Sequence, residues 1–209
     1  MYLLIKRGMD ILTAGVGLVV LCPLFLLIGT IIYLKDRGPI FYRAKRVGKG
    51  GNEFTMYKFR TMIVNADSRG ASSTTLDDVR ITAVGKILRK WKLDELTQLL
   101  NVFMGSMSLV GPRPQVRWAV DKYSSKEKTL LTIRPGITDF ASLAFPNEEE
   151  ILKGSSNPDA DYMAKIHPLK MELSLKYLKK MSLWVDIKII LRTIKRVMNP
   201  FAKSKYENL

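Results

Sequence analysis

The sequence predicts an α-rich α+β protein in which a membrane-embedded re-entrant hairpin, residues 1–36, precedes a small cytoplasmic domain, residues 37–209. Three features predict this class: a long apolar run near the N-terminus, two β-type runs around a glycine-rich turn, and amphipathic helical patterns further on. The 209 residues include 34 Lys and Arg against 19 Asp and Glu, a net charge of +15. We therefore expect a polyanionic partner: nucleic acid, anionic lipid headgroups or a phosphorylated substrate.

The N-terminal apolar run extends from Ile11 to Leu34 without a charged residue. As a straight helix it would rise about 36 Å, enough to cross a hydrocarbon core of about 30 Å. Basic residues before the run fit a secretory signal peptide, but the run is too long for one and lacks a small-residue cleavage site. The run therefore predicts one membrane segment, and the rest of the sequence contains no second run of this kind.

A proline, Pro23, lies near the centre of this segment. It removes a backbone hydrogen bond and costs about 3 kcal/mol in a helix interior. A kinked spanning helix and a helix–break–helix that returns to the same side both accommodate it. Basic residues flank both ends of the run, as is typical of cytoplasmic flanks. The pattern favours a re-entrant hairpin that breaks at Cys22 and Pro23.

The domain that follows is predicted to begin with a β-hairpin, because β-type runs flank "GKGG" within residues 38–62. A polar, turn-rich loop over 65–79 comes next. Apolar residues then recur at helical spacing over 82–103, which predicts one helix. A rigid, proline-bounded loop over 105–114 contains Arg113, and residues 133–145 are predicted to pass from a loop into a strand, with Arg134 before a Pro-Gly turn.

The C-terminal stretch 169–198 is predicted to be mostly helical. Its second part keeps Trp184, Leu191 and Met198 on one face and basic residues on the other. This pattern is typical of a helix lying in the headgroup plane, and equally of a surface helix of a globular protein. The membrane segment upstream favours the interfacial interpretation.

Histidine and cysteine are nearly absent, with only His167 and Cys22. Catalytic triads, Cys-His pairs and histidine-based zinc sites are therefore excluded as serious options. A single cysteine also excludes an internal disulfide.

Two adjacent carboxylates, Asp94 and Glu95, lie on the predicted helix in an otherwise basic and apolar window. Neighbouring helical positions point about 100° apart, so the two would take separate roles rather than share a proton. From this window alone, a salt-bridged helix face is the favoured interpretation. Further cations recur in strands and loops that could converge on the pair: Lys58, Arg60, Arg80, Arg89, Arg113 and Arg134.

Such a set of residues suits phosphoryl transfer. Arg, Lys and Mg²⁺ neutralise the charge on the transferred group, and a carboxylate can attack phosphorus. Mg²⁺ prefers one or two carboxylates plus substrate phosphates, which matches Asp94 and Glu95 in a basic surround. A non-catalytic basic adaptor that binds anionic lipid or nucleic acid is the alternative. It explains the net charge but not the two carboxylates among arginines.

The motifs "YKFRTM", "LDELTQLLNVFMGSMSLVGPRP" and "RPGIT", in this order and followed by "WVDIKIILRTI", are highly specific in combination. Together with the proline-broken apolar segment they resemble the bacterial sugar transferase family, the monotopic polyprenyl-phosphate phosphoglycosyl transferases. The resemblance covers nearly the whole chain. It implies transfer of a sugar 1-phosphate from a UDP-sugar to undecaprenyl phosphate with release of UMP, which starts synthesis of a lipid-linked glycan. It also implies Mg²⁺ dependence and a location at the cytoplasmic face of the bacterial inner membrane.

On matching positions, the resemblance implies that Asp94 is the nucleophile, through a covalent aspartyl-phosphosugar, and that Glu95 is its partner. Lys58, Arg89 and Arg113 would hold phosphates, and Arg60 and Arg80 are further candidates from the residue pattern. Arg134, Pro135 and Gly136 would border the nucleotide. The expected partners are these two substrates and membrane lipids, without nucleic acid, and the exposed Trp and Leu faces suit a homodimer as well as a membrane.

Four positions depart from the family pattern. Cys22 stands where the family has serine before the proline, and Thr97 and Asp78 stand where proline is common. These departures affect hydrogen bonding at the bend and local geometry beside the site. Asp139 stands where many members have glycine, and we expect it to mark a sugar-specific subgroup.

Overall fold

The computed structural model describes residues 1–71 and 73–199. Residues 200–209, the end of the predicted cytoplasmic domain, lie outside this described part, as does residue 72 of the predicted loop. The strands are β1 (Phe41–Val47), β2 (Glu53–Phe59), β3 (Ser108–Val110) and β4 (Gly136–Thr138). The helices are α1 (Tyr2–Asp36), α2 (Ala83–Lys90), α3 (Gln98–Met104), α4 (Arg117–Val120), α5 (Phe140–Ala144), α6 (Glu148–Ile151), α7 (Pro158–Asp161), α8 (His167–Lys180) and α9 (Leu183–Met198). The predicted helix-rich α+β class is confirmed.

The N-terminal helix α1 contains the apolar run and is long and apolar enough to cross a membrane, with a mean hydropathy of 2.7 in its most apolar window. It continues through Cys22 and Pro23 as one helix. The predicted break at this pair is therefore not confirmed, and the re-entrant path stays a prediction. Most of its apolar side chains are exposed, Val19 at 76% among them.

The helix α1 also contacts the rest of the protein along its whole length. Near its start, Lys6 forms an ion pair with Asp186 of α9 at 2.6 Å. In its middle, the ring of Phe25 packs edge-on against Phe59 of β2 at 5.7 Å between centroids. At its end, the carboxylate of Asp36 accepts a hydrogen bond from the Thr82 hydroxyl at 2.8 Å. One body therefore holds both ends of this helix.

The predicted β-hairpin is confirmed, since β1 and β2 pair antiparallel with Tyr42 opposite Lys58. The two Gly-Pro and Pro-Gly loops contribute an additional parallel pair, β3 with β4. A Cβ on Gly136 would lie 2.1 Å from the backbone nitrogen of Gly111, so only glycine permits this approach. The predicted nucleotide-bordering Gly136 thus has a structural role at this point of contact.

The single helix predicted over 82–103 is wrong. The structure forms α2, then a short 3₁₀ turn over Leu93–Glu95, then α3. Lys92 takes a left-handed conformation at φ 54°, which ends the helical path even though the apolar spacing continues. The break moves Asp94 and Glu95 onto a tight turn between two helices.

The C-terminal stretch is helical as predicted but consists of two helices. A π-helical turn over Tyr162–Ile166 joins α7 to α8. In α9, Asp186 and Ile189 are buried, while Trp184 is 64% exposed and Leu191 is 61% exposed. The apolar residues of α9 therefore face both the core and the exterior.

Candidate active site

A cavity of about 1080 Å³ lies between the β1–β2 hairpin, the 3₁₀ turn and helices α6 and α8. Most of the predicted site residues line it: Lys58, Arg60, Arg80, Arg89, Asp94, Glu95 and Arg113. The remaining predicted residues do not: Arg134, Pro135, Gly136, Cys22 and Pro23. Residues far apart in sequence thus converge around the two adjacent carboxylates.

The turn that carries Asp94 is fixed by hydrogen bonds on both sides. The backbone nitrogen of Glu95 donates to the Lys92 carbonyl at 3.3 Å, which closes the 3₁₀ turn. The hydroxyl of the buried Thr97 donates to the carbonyl of Tyr57 in β2 at 3.0 Å. A proline at this position would lack the hydroxyl, so the departure at Thr97 adds a link between the turn and the strand that carries Lys58.

Asp94 is buried, with 7% of the residue exposed, and its Oδ1 has no hydrogen-bond partner. Burial raises the pKa of Asp94, the neighbouring Glu95 charge raises it further, and Lys58 opposes the shift. A buried carboxylate oxygen without a partner is costly, and such groups are rare unless they serve a function. Asp94 is therefore available to react with or bind a group in the cavity.

The neighbouring Glu95 is fully occupied by cations. Its carboxylate accepts from Lys58 Nζ at 2.8 Å and from Arg113 Nη1 at 3.0 Å, and Arg113 Nη2 also contacts Oε1. Burial opposes ionisation of Glu95, but Arg113 and Lys58 outweigh it and hold the pKa of Glu95 well below its usual value. Burial in turn lowers the pKa of Lys58, against the pull of Glu95. Glu95 therefore anchors two cations beside Asp94.

Two other predicted arginines reach the cavity with different partners. Arg89 donates to the Thr61 hydroxyl at 2.9 Å and pairs with Glu149 of α6 at 2.7 Å. Arg60 is 5% exposed and donates to the Arg37 carbonyl, but its Nε and Nη1 have no partner. Arg60 thus retains free donors for a ligand. Arg89 could bind a ligand only by giving up its ion pair with Glu149.

The guanidinium groups of Arg80 and Arg134 serve the backbone. Arg80 forms an ion pair with Asp78 at 2.6 Å and donates to the carbonyls of Ala66 and Ala71. The departure at Asp78 therefore supplies a charged partner that folds the loop. Arg134 donates to the Gly105 carbonyl at 2.8 Å, away from the cavity.

Sequence reasoning missed several residues of the cavity. Arg46 of β1 lines it, and no ion pair to a described carboxylate engages its guanidinium. In the sequence it counted only as flanking charge of the membrane segment. Glu148, Glu149 and Lys170 also line the cavity. The sequence contains one signal for Glu148 and Glu149, because they belong to three consecutive glutamates in a strongly basic chain.

The predicted subgroup marker, Asp139, does not line the cavity. It is completely buried and caps α5, accepting from the Ser142 backbone nitrogen at 2.7 Å and from the Ser174 hydroxyl of α8 at 2.9 Å. Asp139 therefore joins α5 to α8. Any effect on the sugar would act through the position of α8.

Mg²⁺ prefers one or two carboxylates plus phosphate oxygens as ligands. No group of three or more His, Cys, Asp or Glu converges within residues 1–71 and 73–199. The unpartnered Oδ1 of Asp94 fits a magnesium ion that is shared with substrate phosphates. Both oxygens of Glu95 already accept from cations, so Asp94 is the better placed of the two predicted ligands.

Comparison with known proteins gives a family match over most of the chain. The family model described as "Bacterial sugar transferase" matches residues 1–200. A relative in Aeromonas hydrophila, named UDP-N-acetylgalactosamine-undecaprenyl-phosphate N-acetylgalactosaminephosphotransferase, is 38% identical over 96% of this chain. The exopolysaccharide production protein ExoY of Sinorhizobium fredii is 37% identical over 92% of this chain.

A third relative, in Xanthomonas campestris, is named UDP-glucose:undecaprenyl-phosphate glucose-1-phosphate transferase and is 36% identical over 94% of this chain. The chain spans only 45% and 39% of the Aeromonas and Xanthomonas proteins, but 84% of ExoY. The names of these relatives differ in the sugar, so the comparisons do not select one.

Proposed function

The chain belongs to the bacterial sugar transferase family, and from this premise we propose that it transfers a sugar 1-phosphate from a UDP-sugar to undecaprenyl phosphate. The product would be a lipid-linked sugar diphosphate that starts assembly of a glycan. One observation carries the proposal: Asp94, whose buried Oδ1 has no hydrogen-bond partner, lines a cavity that is also lined by cations.

In the first step, the Asp94 carboxylate attacks the β-phosphorus of the UDP-sugar. The bond between that phosphorus and the bridging oxygen breaks, and UMP leaves with the bridging oxygen. The sugar phosphate is then joined to Asp94 as an acyl phosphate. Burial supports this role because a carboxylate without hydrogen-bond donors is a more reactive nucleophile than one solvated by water.

The cations beside Asp94 would supply the positive charge that this step needs. Phosphoryl transfer places negative charge on the non-bridging oxygens, and preorganised Arg and Lys side chains stabilise it. Glu95 is a positioning residue here, since its carboxylate holds Lys58 and Arg113 next to the reacting carboxylate. Arg60 retains unpartnered donors for the diphosphate, and Arg46 lines the same cavity.

In the second step, a phosphate oxygen of undecaprenyl phosphate attacks the same phosphorus. The bond between phosphorus and Asp94 breaks, and the free carboxylate is restored. Asp94 is the residue that would hold a Mg²⁺ ion, which would supply positive charge to neutralise the phosphates of the substrates.

The contacts of α1 support a monotopic arrangement at one face of the membrane. Lys6 near its start and Asp36 at its end both bind polar groups of the same body. These contacts at both ends of α1 support an arrangement in which the helix and the body lie at the same face of the membrane. Exposed apolar residues such as Val19 and Leu26 would face the lipid. The cytoplasmic side follows from the basic flanks of the run.

The experiment that tests this function measures UMP release by the full chain in lipid nanodiscs with Mg²⁺, a panel of UDP-sugars and undecaprenyl phosphate. We expect UMP from at least one donor, a stoichiometric burst of UMP without the lipid acceptor, and none from Asp94→Asn. Glu53→Gln, which alters an exposed ion pair outside the cavity, is the control and should retain activity.

The adaptor alternative predicts a different result. A basic membrane-surface adaptor would bind anionic vesicles in a salt-dependent manner and release no UMP from any donor. It also leaves the buried and unpartnered Asp94 without an explanation.

A further inference from the structure

Two arginines that take no part in the steps above, Arg7 and Arg134, converge at the C-terminal end of α3. Arg7 of α1 donates from Nη1 to the Val102 carbonyl at 2.7 Å and from Nη2 to the Phe103 carbonyl at 3.1 Å. Arg134, in the "RPGIT" motif, donates from Nε to the Gly105 carbonyl at 2.8 Å. A Cβ on the same Gly105 would lie 3.2 Å from Arg7 Nη2. The structure therefore brings two guanidinium groups, the arginine pair, to one helix end.

The positive charge of the arginine pair is not balanced by an ion pair. Within residues 1–71 and 73–199, neither guanidinium pairs with a carboxylate. Asp10, one turn further along α1, is buried and accepts from the Leu109 backbone nitrogen at 3.1 Å. The carbonyls at a helix C-terminus together carry only about half an elementary charge. Two full positive charges at one place therefore favour binding of an anion.

The arginine pair also retains donors for such an anion. A guanidinium has five N–H groups in a planar fork that matches the oxygens of a phosphate. Within the described part of the chain Arg134 donates only from Nε, so its two terminal nitrogens are available, and both arginines are partly exposed. Capping the end of α3 requires only some of these donors. The remaining ones suit a phosphate that bridges the two side chains.

Exposed apolar side chains flank the arginine pair. Phe103 and Met104, at the end of α3, are 49% and 60% exposed, and Leu4, one turn before Arg7, is also exposed. The Phe103 ring lies 3.4 Å from the position of a Cβ on Gly15, so α3 ends against the apolar run of α1. Basic pockets beside membrane segments bind the headgroups of anionic lipids. Here the apolar neighbours would contact the acyl chains of the same lipid.

The position of the arginine pair excludes a substrate role for the bound phosphate. Neither Arg7 nor Arg134 lines the cavity that contains Asp94. The acceptor of the proposed reaction has to bring its phosphate to Asp94, so a phosphate at the arginine pair belongs to a different molecule. A phospholipid that stays bound while substrates exchange fits this position.

We propose that Arg7 and Arg134 bind the phosphate of an anionic glycerophospholipid whose acyl chains lie against α1 and the end of α3. Such a lipid would connect the start of the membrane segment to the residues that lead into β4. The site is separate from the proposed function, because its occupancy can be measured without donor or acceptor.

The test measures lipid binding by native mass spectrometry of the full chain in a neutral detergent, titrated with phosphatidylglycerol or with phosphatidylcholine of the same acyl chains. The chain with its natural residues should bind the first phosphatidylglycerol more tightly than phosphatidylcholine. Arg134→Gln and Arg7→Gln should each weaken phosphatidylglycerol binding about tenfold, because charge-assisted hydrogen bonds to the phosphate are lost. Arg134→Lys keeps the charge without the fork and should weaken binding about threefold.

The matched control is Arg117→Gln, which removes the same charge from an exposed ion pair outside the arginine pair and should change the affinity less than about twofold. Thermal unfolding of each variant identifies loss of the fold. If a glutamine variant does not fold, Arg134→Lys against Arg117→Lys decides the question, because both keep the net charge.

Equal phosphatidylglycerol affinity of the Arg134 variants and their Arg117 controls overturns this inference. A third titration, with undecaprenyl phosphate, distinguishes the two lipid sources. If Arg134→Gln weakens binding of undecaprenyl phosphate and leaves that of phosphatidylglycerol unchanged, the site belongs to the acceptor, and the inference is overturned as well. The proposed function stands after either result, because UMP release tests it separately.

Discussion

The two adjacent carboxylates should respond in opposite directions when each is replaced by its amide. Glu95 neutralises two buried cations, whereas Asp94 is a buried charge with one oxygen unpartnered. We therefore expect Glu95→Gln to destabilise the protein and Asp94→Asn to stabilise it, while Asp94→Asn abolishes turnover. The two substitutions are equally conservative in volume, so any difference reports the electrostatics.

The magnitudes follow from the contacts. Removing one partner of a buried ion pair costs about 3–5 kcal/mol. The side chains of Glu95, Lys58 and Arg113 are 16%, 19% and 26% exposed, so we take the lower end, about 3 kcal/mol. For a protein of this size, that free energy lowers Tm by roughly 6–12 °C. Asp94→Asn replaces a buried charge by an amide and should gain about 1 kcal/mol, or roughly 2–4 °C.

The pH dependence provides a second check on the same variants. Glu95 has a depressed pKa in the folded protein, so its stabilisation is present above its unfolded pKa of about 4.3 and is lost as the pH falls through the folded value. The deficit of Glu95→Gln should therefore shrink in acid. Asp94 has a raised folded pKa, so its penalty is complete only above that value. The gain of Asp94→Asn should also disappear in acid.

The assay is thermal unfolding in detergent, followed by intrinsic fluorescence at one scan rate, with EDTA present so that no cation binds Asp94. Glu53→Gln in the exposed pair with Arg117 is the control, and its Tm should change by about 1 °C or less. Destabilisation of both site variants by similar amounts would refute the electrostatic assignment of the two carboxylates.

Three further predictions concern the fold and the metal. Gly136→Ala should lower stability by about 2–3 kcal/mol, because the added Cβ would clash with the backbone of Gly111. Gly8→Ala is the control and should not lower stability, because the space around Gly8 is open. Equal Tm values for the two variants would contradict this prediction. Asp186→Ala should lower stability by about 3 kcal/mol, measured as a reduced Tm, because Lys6 loses its ion-pair partner and the hydroxyls of Tyr2 and Tyr177 each lose a hydrogen bond to this carboxylate. An unchanged Tm would show that this network does not contribute to stability. Chelation by EDTA should stop UMP release and added Mg²⁺ should restore it, so activity that persists in EDTA argues against a metal.

Local sequence patterns predicted the strands and helices in which apolar residues recur at one constant spacing. The β1–β2 hairpin and the C-terminal helices are of this kind, because alternation and helical spacing each report a buried face directly. A strand within 133–145 was predicted, but the parallel pairing of β3 with β4 was not, because each strand has three residues and the paired residues lie 28 positions apart in the chain. Such a pairing depends on the close approach of Gly111 and Gly136, which no local pattern encodes.

The candidate site was also predicted only in part, because local motifs reveal some of its residues and not others. Asp94, Glu95 and five of the cations that line the cavity were found because they lie in short contiguous motifs. The wall formed by Glu148 and Lys170 was not, since an ion pair across 22 positions exists only after α6 and α8 pack against each other. Arg80 was assigned to phosphate on charge alone, although its partner Asp78 stands two residues away.

The error at the helix predicted over 82–103 shows how the site is built. Apolar spacing continues through this window, yet Lys92 adopts φ 54° and ends the helix. A non-glycine residue in this region of φ and ψ costs free energy and persists where surrounding contacts hold it, often at functional sites. Here α3 begins anew after the turn and packs on α1, with Leu99 against Gly17 and Phe103 against Gly15. The break therefore places Asp94 on a turn that is connected through α3 to the apolar helix. If α1 dips into one leaflet as proposed, Asp94 lies where a lipid phosphate and a soluble nucleotide sugar can both reach it.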